Sequence, residues 1–319
     1  MNFQQLRYVR ETVRQGLNLT EAANVLYTSQ PGVSKQIREF EDELGVTIFE
    51  RRGKRFVALT EPGKRILEIV ERVLQDVDNL RRVGTEYAQE DAGRLTIATT
   101  HTQARYALPR VVAEFRKLYP KVHLHLQQGD PRSVAQMVIR GDAELGIATE
   151  ALDQYPELVT LPGYQWRHCL VVPPGHPLLE RPQPTLADLG RYPIVTYSPE
   201  FTGRTHIDAA FAARGIAIDV VLTAIDSDVI KTYVELGMGV GIIAAMAFDP
   251  ERDRGLRMID GTHLFRVNTT RVALRKGAFL RAFTFDFIER FAPQLRRKAV
   301  EQALAGESAV GADESAYQI

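Results

Sequence analysis

The stretch Asn18-Leu19-Thr20-Glu21-Ala22-Ala23-Asn24-Val25-Leu26-Tyr27-Thr28-Ser29-Gln30-Pro31-Gly32-Val33-Ser34-Lys35-Gln36-Ile37-Arg38-Glu39-Phe40-Glu41-Asp42-Glu43-Leu44 decides how this chain is read. Two short helices joined by a tight turn fit it. Thr20 stands where an N-cap belongs, and Ala22, Ala23 and Leu26 give the first helix a small apolar face that lets another helix cross closely. Thr28 and Ser29 break that helix. Pro31 falls in the first turn of the next, where a missing N–H is tolerated. Val33, Ile37, Phe40 and Leu44 then recur at helical spacing. The opposite face carries Ser34, Lys35 and Arg38. The pattern predicts a helix-turn-helix with a polar, basic recognition face, the shape that enters a DNA major groove.

Working outward, Leu6, Val9 and Val13 predict a preceding helix that ends near Gly16. Val46–Phe49 and Phe56–Leu59 are β-type runs about Arg52 and Gly53, which read as a hairpin or wing. The base-reading candidates are Ser29, Gln30 and Pro31 at the helix start, with Ser34, Lys35 and Arg38 along its face. Arg51, Arg52, Lys54 and Arg55 are assigned to phosphates, the alternative being a solvated charged hairpin. Thr60 caps a long helix with Pro62 in its first turn. Its apolar positions Ile66, Ile69, Val70, Val73, Leu74, Val77, Leu80 and Val83 make a seam. A core helix is the plain reading. A dimer coiled coil is preferred, because a small N-terminal domain has nothing large enough to cover that seam.

Gln89–Gly93 reads as a polar linker. Beyond it strands and helices alternate in βαβαβ fashion, predicting an open α/β sheet. The strands are Arg94–Thr99, Val122–Leu126 and Glu144–Ala148, with helices Leu108–Leu118 and Val134–Ile139. A second such unit starts at His168 and continues to Val240–Ile243. A strand at Thr270–Leu274 and a helix Leu280–Phe291 return to the first unit. The expected organisation is a winged helix-turn-helix domain over 1–60, a linker or dimerisation helix over 61–90 and an α/β ligand domain over 91–303. The last divides into two Rossmann-like lobes of the kind seen in periplasmic binding proteins, lobe I being 91–163 plus 268–303 and lobe II 164–267. Residues 304–319, rich in small and polar types, are expected to be a disordered tail.

The chain has 319 residues with Lys and Arg balanced against Asp and Glu at 40 each. That excludes a uniformly basic nucleic-acid coat. The single cysteine, Cys169, excludes an internal disulfide and suits a reducing compartment. No apolar run reaches membrane-spanning length, and Met1–Gln5 does not read as a signal peptide, so a cytoplasmic location is expected.

Thr99-Thr100-His101-Thr102-Gln103 sits between a strand end and a helix start, the usual ligand position in an open α/β sheet. Free N–H groups there favour an anion. Thr149 and Thr196 also follow strands, and Thr202 opens a helix, facing Thr100 across the cleft. Threonine capping explains any one of these placements, but their repetition points to a small anionic or zwitterionic ligand. His123 and His125 share a strand face without further metal-type ligands, so no metal site is expected. His168 and Cys169 point to opposite faces. Gly237, Gly239 and Gly241 follow a helix and precede a strand, the wrong order for a phosphate loop. No Gly-x-Ser-x-Gly elbow or nucleophile–base pair is present, so no catalytic residue is assigned. An enzyme acting on a small sulfur or amino-acid metabolite and a two-lobed solute-binding module are the rival readings.

The blocks Phe3–Tyr8, Leu19–Ala23, Thr28–Ser34, Leu44–Arg51 and Leu59–Gly63 together resemble the LysR-type transcriptional regulators, over nearly the whole chain. The blocks Ala98–Tyr106, Gln127–Pro131, Gly146–Glu150, Tyr164–Trp166 and Phe201–Arg204 are similar to the CysB branch of that family, regulators of sulfur assimilation and cysteine biosynthesis. That resemblance implies sulfate or an acetylated serine as effector and no other cofactor. Thr100, Thr102, Gln103, Thr149 and Thr202 match its anion-binding positions, with Trp166 lining the cleft near a hinge. It further implies promoter DNA and RNA polymerase as partners, and a homotetramer built as a dimer of dimers. Paralogues that govern organosulfur use share these motifs.

Overall fold

The computed structural model describes residues 1–53, 55–88 and 91–307. Lys54, Gln89, Glu90 and 308–319, the last comprising most of the expected tail, lie outside the described residues. The chain divides into two compact units, Met1–Ala88 and Gln89–Ile319.

In the first unit, α1 (Phe3–Arg14), α2 (Leu19–Val25) and α3 (Gln30–Leu44) precede the hairpin β1 (Phe49–Arg52) and β2 (Arg55–Leu59), and α4 (Glu61–Ala88) closes it. Asn18, not Thr20, caps α2: its Oδ1 accepts from the N–H groups of Thr20 and Glu21. A turn with Gly16 and Leu17 both at positive φ delivers Asn18 to that position. Ser29 caps α3 by accepting from Gly32 N, and Gly45 in the left-handed region ends it. Leu6, Val9, Ala23, Val33, Ile37, Phe40, Ile48 and Phe49 form one core.

The first β-type run begins later than its composition predicts. Val46 to Ile48 stay out of the ladder because buried Glu41, on α3, takes the N–H groups of Ile48 and Phe49 at 2.8 and 3.1 Å. The strand therefore opens at Phe49, stacked on Phe56 with ring centroids 4.5 Å apart.

Helix α4 is capped by Thr60 Oγ1, which accepts from Gly63 N at 2.9 Å. A Cβ on Gly63 would run into the Ile48 carbonyl, so glycine lets the helix start against that strand. The helix passes through Gly84 to Ala88, about 42 Å at 1.5 Å per residue. The expectation that nothing in the small domain could cover its seam holds only for part of it. Val70 and Leu74 are core residues with Ile66, Leu67 and Val73 packed beside them. Ile69 and Leu80 remain 51% and 71% exposed.

Among its described residues the second unit contains two five-stranded sheets. The first runs from β3 (Ala92–Thr99) through α5 (Leu108–Leu118), β4 (Lys121–Gln128), α6 (Pro131–Arg140) and β5 (Leu145–Thr149) to β6 (Leu158–Trp166). The chain then forms β7 (His168–Val172), α7 (Leu186–Leu189), β8 (Ile194–Tyr197), α8 (Thr202–Ala212), β9 (Val220–Ala224), α9 (Ser227–Glu235), β10 (Val240–Ala244) and β11 (Arg257–Asp260) of the second sheet. It returns as β12 (Asn268–Arg275), α10 (Ala282–Phe291) and α11 (Arg297–Leu304). The strand orders are β4-β3-β5-β12-β6 and β11-β7-β10-β8-β9. In each sheet parallel βαβ pairings are joined by antiparallel strands, β12 and β6 in the first, β7 and β11 in the second.

The lobe boundary expected at residue 164 falls inside β6, which stays in the first sheet as far as Trp166; the crossover is Arg167. Alternate residues of each strand enter opposite cores. Leu95 and Ile97 face Phe115, Phe283 and Phe287, while Ala98 faces Val134 and Val138. Val172 and Ile242 pack with Ile207 and Phe211; Val171 and Ile243 pack with Ile230 and Val234. Burial on both faces explains why these strands read as unbroken apolar runs. Among the described residues no helix is long and apolar enough to cross a membrane.

Candidate functional site

Two surfaces gather the residues singled out by sequence. In the first unit, Gln30, Pro31, Ser34, Lys35 and Arg38 share a groove of about 520 Å³ with Arg51, between the start of α3 and the hairpin turn. Ser29, Arg52 and Arg55 are exposed beside it. Lys35 pairs with Glu39 at 3.7 Å, whereas Arg38 is exposed and has no partner among the described residues. Arg51 is committed inward: Nη2 donates to Glu41 Oε2, and the guanidinium lies 5.2 Å from the Phe56 ring centre. Lys54 lies outside the described residues. Sequence reading passed over Tyr27, which is 97% exposed at positive φ in the turn before α3. Its aromatic ring with a polar tip, directly before Thr28 and Ser29 that break the helix, was the available signal.

In the second unit, β3 ends at Thr99 and the chain enters a π-helical turn, Gln103–Ala107, before α5. Such turns are rare and cluster at functional sites. Thr100 is buried and Thr102 half-buried. Gln103 is buried; its Oε1 accepts from Tyr164 OH, and Nε2 donates to Thr270 Oγ1 at 3.2 Å. Burial raises the Tyr164 pKa, which keeps the phenol protonated and donating. These bonds fix the Gln103 amide and leave one N–H of its two. Thr202, expected to face Thr100, instead meets Thr149, hydroxyl to hydroxyl at 2.6 Å across the two lobes. Capping is the usual occupation of a threonine at a helix start, yet Thr102 and Thr149 make no side-chain cap. Helix α8 also begins without one. The Thr149 and Thr202 hydroxyls are thus engaged with each other across the lobes and not in local capping.

Trp166 is buried under the start of α8, its Nε1 unpartnered among the described residues. Its ring meets His168 edge-on at 5.1 Å. A Cβ on Gly203 would lie 3.0 Å from His168 Nε2, so the absence of a side chain lets α8 settle on this pair. Asn268 Nδ2 lies 3.3 Å from His168 Nδ1, which is consistent with the neutral tautomer bearing its proton on Nε2. Burial, with the charge of His206 adding to it, lowers the His168 pKa from 6.5 to about 3.

Because the unfolded chain protonates this ring near pH 6.5 and the folded chain does not, stability falls as pH drops below 6.5. Between pH 7 and 5 the loss should be about 1 to 2 kcal/mol. Urea titrations at both pH values would check it, and His168→Gln should flatten the dependence. Burial likewise pushes the Cys169 thiol up to about 12, which removes it as a nucleophile.

A winged helix-turn-helix in one unit and a two-lobed small-molecule receptor in the other define a ligand-responsive DNA-binding regulator. Residues 3–64 match the family described as bacterial regulatory helix-turn-helix protein, lysR family, and residues 88–296 match the LysR substrate binding domain. The chain belongs to the LysR family of transcriptional regulators. It is 62% identical to the HTH-type transcriptional regulator SsuR of Burkholderia cenocepacia, over 94% of this chain and 97% of that one. It is 61% identical to the regulator CysB of the same organism, over 97% and 98% of the two chains. The crystal structure of the cofactor-binding domain of the Cbl transcriptional regulator superposes with a TM-score of 0.65 at 43% identity, covering 67% of this chain and 93% of that one. These relatives form the sulfur-related branch of the family, and they are regulators, not enzymes.

Proposed function

We propose that this regulator activates sulfur-assimilation and cysteine-biosynthesis genes in the cytoplasm, and that sulfate or an acetylated serine controls it from between the two lobes. The observation that carries the reading is the direct Thr149–Thr202 contact. It brings the end of β5 and the uncapped start of α8 together, near the segment that bears Thr100, Thr102 and Gln103. Hydroxyls, an amide and the start of a helix that no side chain caps would form a donor set without fixed charge, which suits a small oxyanion. Trp166 beneath α8 would register its arrival.

In this reading Ser29, Gln30, Pro31, Ser34, Lys35 and Arg38 read bases, and Arg52, Lys54 and Arg55 hold phosphates, with Arg51 able to join them only through the guanidinium N–H groups that Glu41 leaves over. The exposed apolar positions of α4 continue into a groove of about 500 Å³ that includes Phe3, Leu44 and Ile69, the face on which a second copy would dimerise. Two such dimers make the tetramer, which positions RNA polymerase when effector binding shifts the lobe equilibrium. The domain limits follow: 1–60 binds DNA, 61–90 dimerises and 91–303 senses.

Thr102→Ala should lower sulfate affinity about tenfold, the value of one charge-assisted hydrogen bond. Promoter affinity without effector should be retained. Calorimetry on the full-length variant tests this, and unchanged sulfate affinity would refute the pocket. Control of organosulfur (sulfonate) utilisation is the second reading, since the chain is as similar to SsuR as to CysB. A thermal-shift screen of sulfate, thiosulfate, sulfonates and acetylserines separates the two.

A further inference from the structure

Asp228, in the first turn of α9, lies far in sequence from the threonine segment, and nothing above gives it a role. Its carboxylate nevertheless collects the outer face of that segment. Oδ1 accepts from Tyr106 OH at 2.7 Å, Oδ2 lies 2.9 Å from Arg105 Nε, and His101 Nε2 is 3.4 Å away. All three partners belong to the first lobe and Asp228 to the second. On its own side, Lys231 Nζ stands 3.4 Å from Asp228 Oδ1 and 3.3 Å from Tyr106 OH. Lys231 is itself fixed by Asp253 at 2.9 Å and the Ala247 carbonyl at 2.8 Å. Burial alone would raise the Asp228 pKa. Hydrogen bonds from Tyr106 and His101, with the charges of Lys231 and Arg105, bring it below the usual carboxylate value, so the anion persists at neutral pH.

Asp226 also approaches His101 and Asp228, within 4.8 Å. Its carboxylate already caps α9 through Val229 N, and two cations already serve Asp228, so the arrangement is a clasp between lobes and not a metal seat.

The same few residues face both ways. Gln103 turns inward, while His101, Arg105 and Tyr106 turn outward to Asp228. A π-helical turn is an irregular, costly element that needs outside support. We propose that Asp228 is a positioning residue for the effector site: it clasps the back of the 101–106 segment to the second lobe, so that lobe closure and anion binding reinforce each other. This rests on the reading of Thr100, Thr102 and Gln103 as effector ligands. By linkage, the clasp raises effector affinity to the extent that it raises the population of the closed, binding-competent arrangement. Asp228 and Arg105 are partly exposed, which limits the effect to a modest factor.

Hydrogen exchange on the full-length protein without ligand tests the clasp directly. Asp228→Asn should accelerate exchange at least fivefold in 101–107 and in 227–231 together, with β5 and β10 unchanged. Tyr106→Phe, which removes one hydroxyl and little else, should do the same more weakly. The double variant Arg105→Ala/Asp228→Asn should be no worse than Asp228→Asn alone. Acceleration confined to 227–231, or additive effects in the double variant, would overturn the proposal. With sulfate as probe, Asp228→Asn should also bind about fivefold more weakly. Failure of the wild type to bind sulfate would count against that effector, while the exchange data would still decide the clasp.

Discussion

Glu41→Ala is expected to lower the unfolding free energy of the N-terminal unit by about 3 kcal/mol. Glu41 is 7% exposed and satisfies three donors at once: the N–H groups of Ile48 and Phe49 and the Arg51 guanidinium. Alanine would leave two buried backbone donors without an acceptor, each with its own desolvation cost, while the exposed Arg51 guanidinium would lose its anchor and turn to water. Glu41→Gln keeps an acceptor but loses the charge, so it should retain part of the stability. Urea unfolding of the full-length protein, followed by circular dichroism, checks the order wild type, Gln, Ala. Because Glu41 also anchors the hairpin to α3, the alanine variant should lose promoter binding while sulfate affinity in the other unit stays unchanged. Equal stability of Ala and wild type would mean that burial of Phe49 and Phe56 in the core beside Ile37 and Phe40 is enough to hold the wing in place.

Arg38→Ala should reduce promoter affinity a hundredfold or more. One guanidinium contact to a base edge contributes about 1–3 kcal/mol, and a dimer presents the contact twice. Arg38 is the cation on the α3 face best placed for this, since Lys35 already shares its charge with Glu39. Anisotropy titrations on promoter and unrelated duplexes, each at two salt concentrations, distinguish the mechanisms. A base contact costs promoter affinity selectively, whereas a phosphate contact costs both equally and reduces the salt slope. Affinity unchanged on both duplexes would remove Arg38 from the reading face.

Most of the architecture was legible because periodicity is local. Val33, Ile37 and Phe40 mark α3 directly, and the buried strands announce themselves as apolar runs. What escaped depended on distant partners. Nothing within Val46–Phe49 says that a glutamate on α3 will take two of its N–H groups and delay the strand. The seam of α4 carries one spacing throughout, yet α1 covers its first half only. Strand β6 was missed because Pro162 and Gly163 interrupt its pattern; a register shift opposite Thr270 and Arg271 absorbs them. At the candidate site, threonines at strand ends were visible one by one, but the Thr149–Thr202 pairing was not. Asp228 gave no local signal, since an acid in a first helical turn ordinarily serves the helix dipole.

The position of β12 has a consequence for biosynthesis. It lies between β5 and β6, pairing with both, although more than a hundred residues separate it from β5. On the ribosome, the first sheet stays split until that strand emerges, whereas the second sheet is contiguous in the chain and can close earlier. The nascent polypeptide should therefore complete its later lobe before its earlier one, and a nascent chain arrested once residues up to 267, but not β12, have left the exit tunnel should carry a protease-resistant second lobe beside a cleavable first.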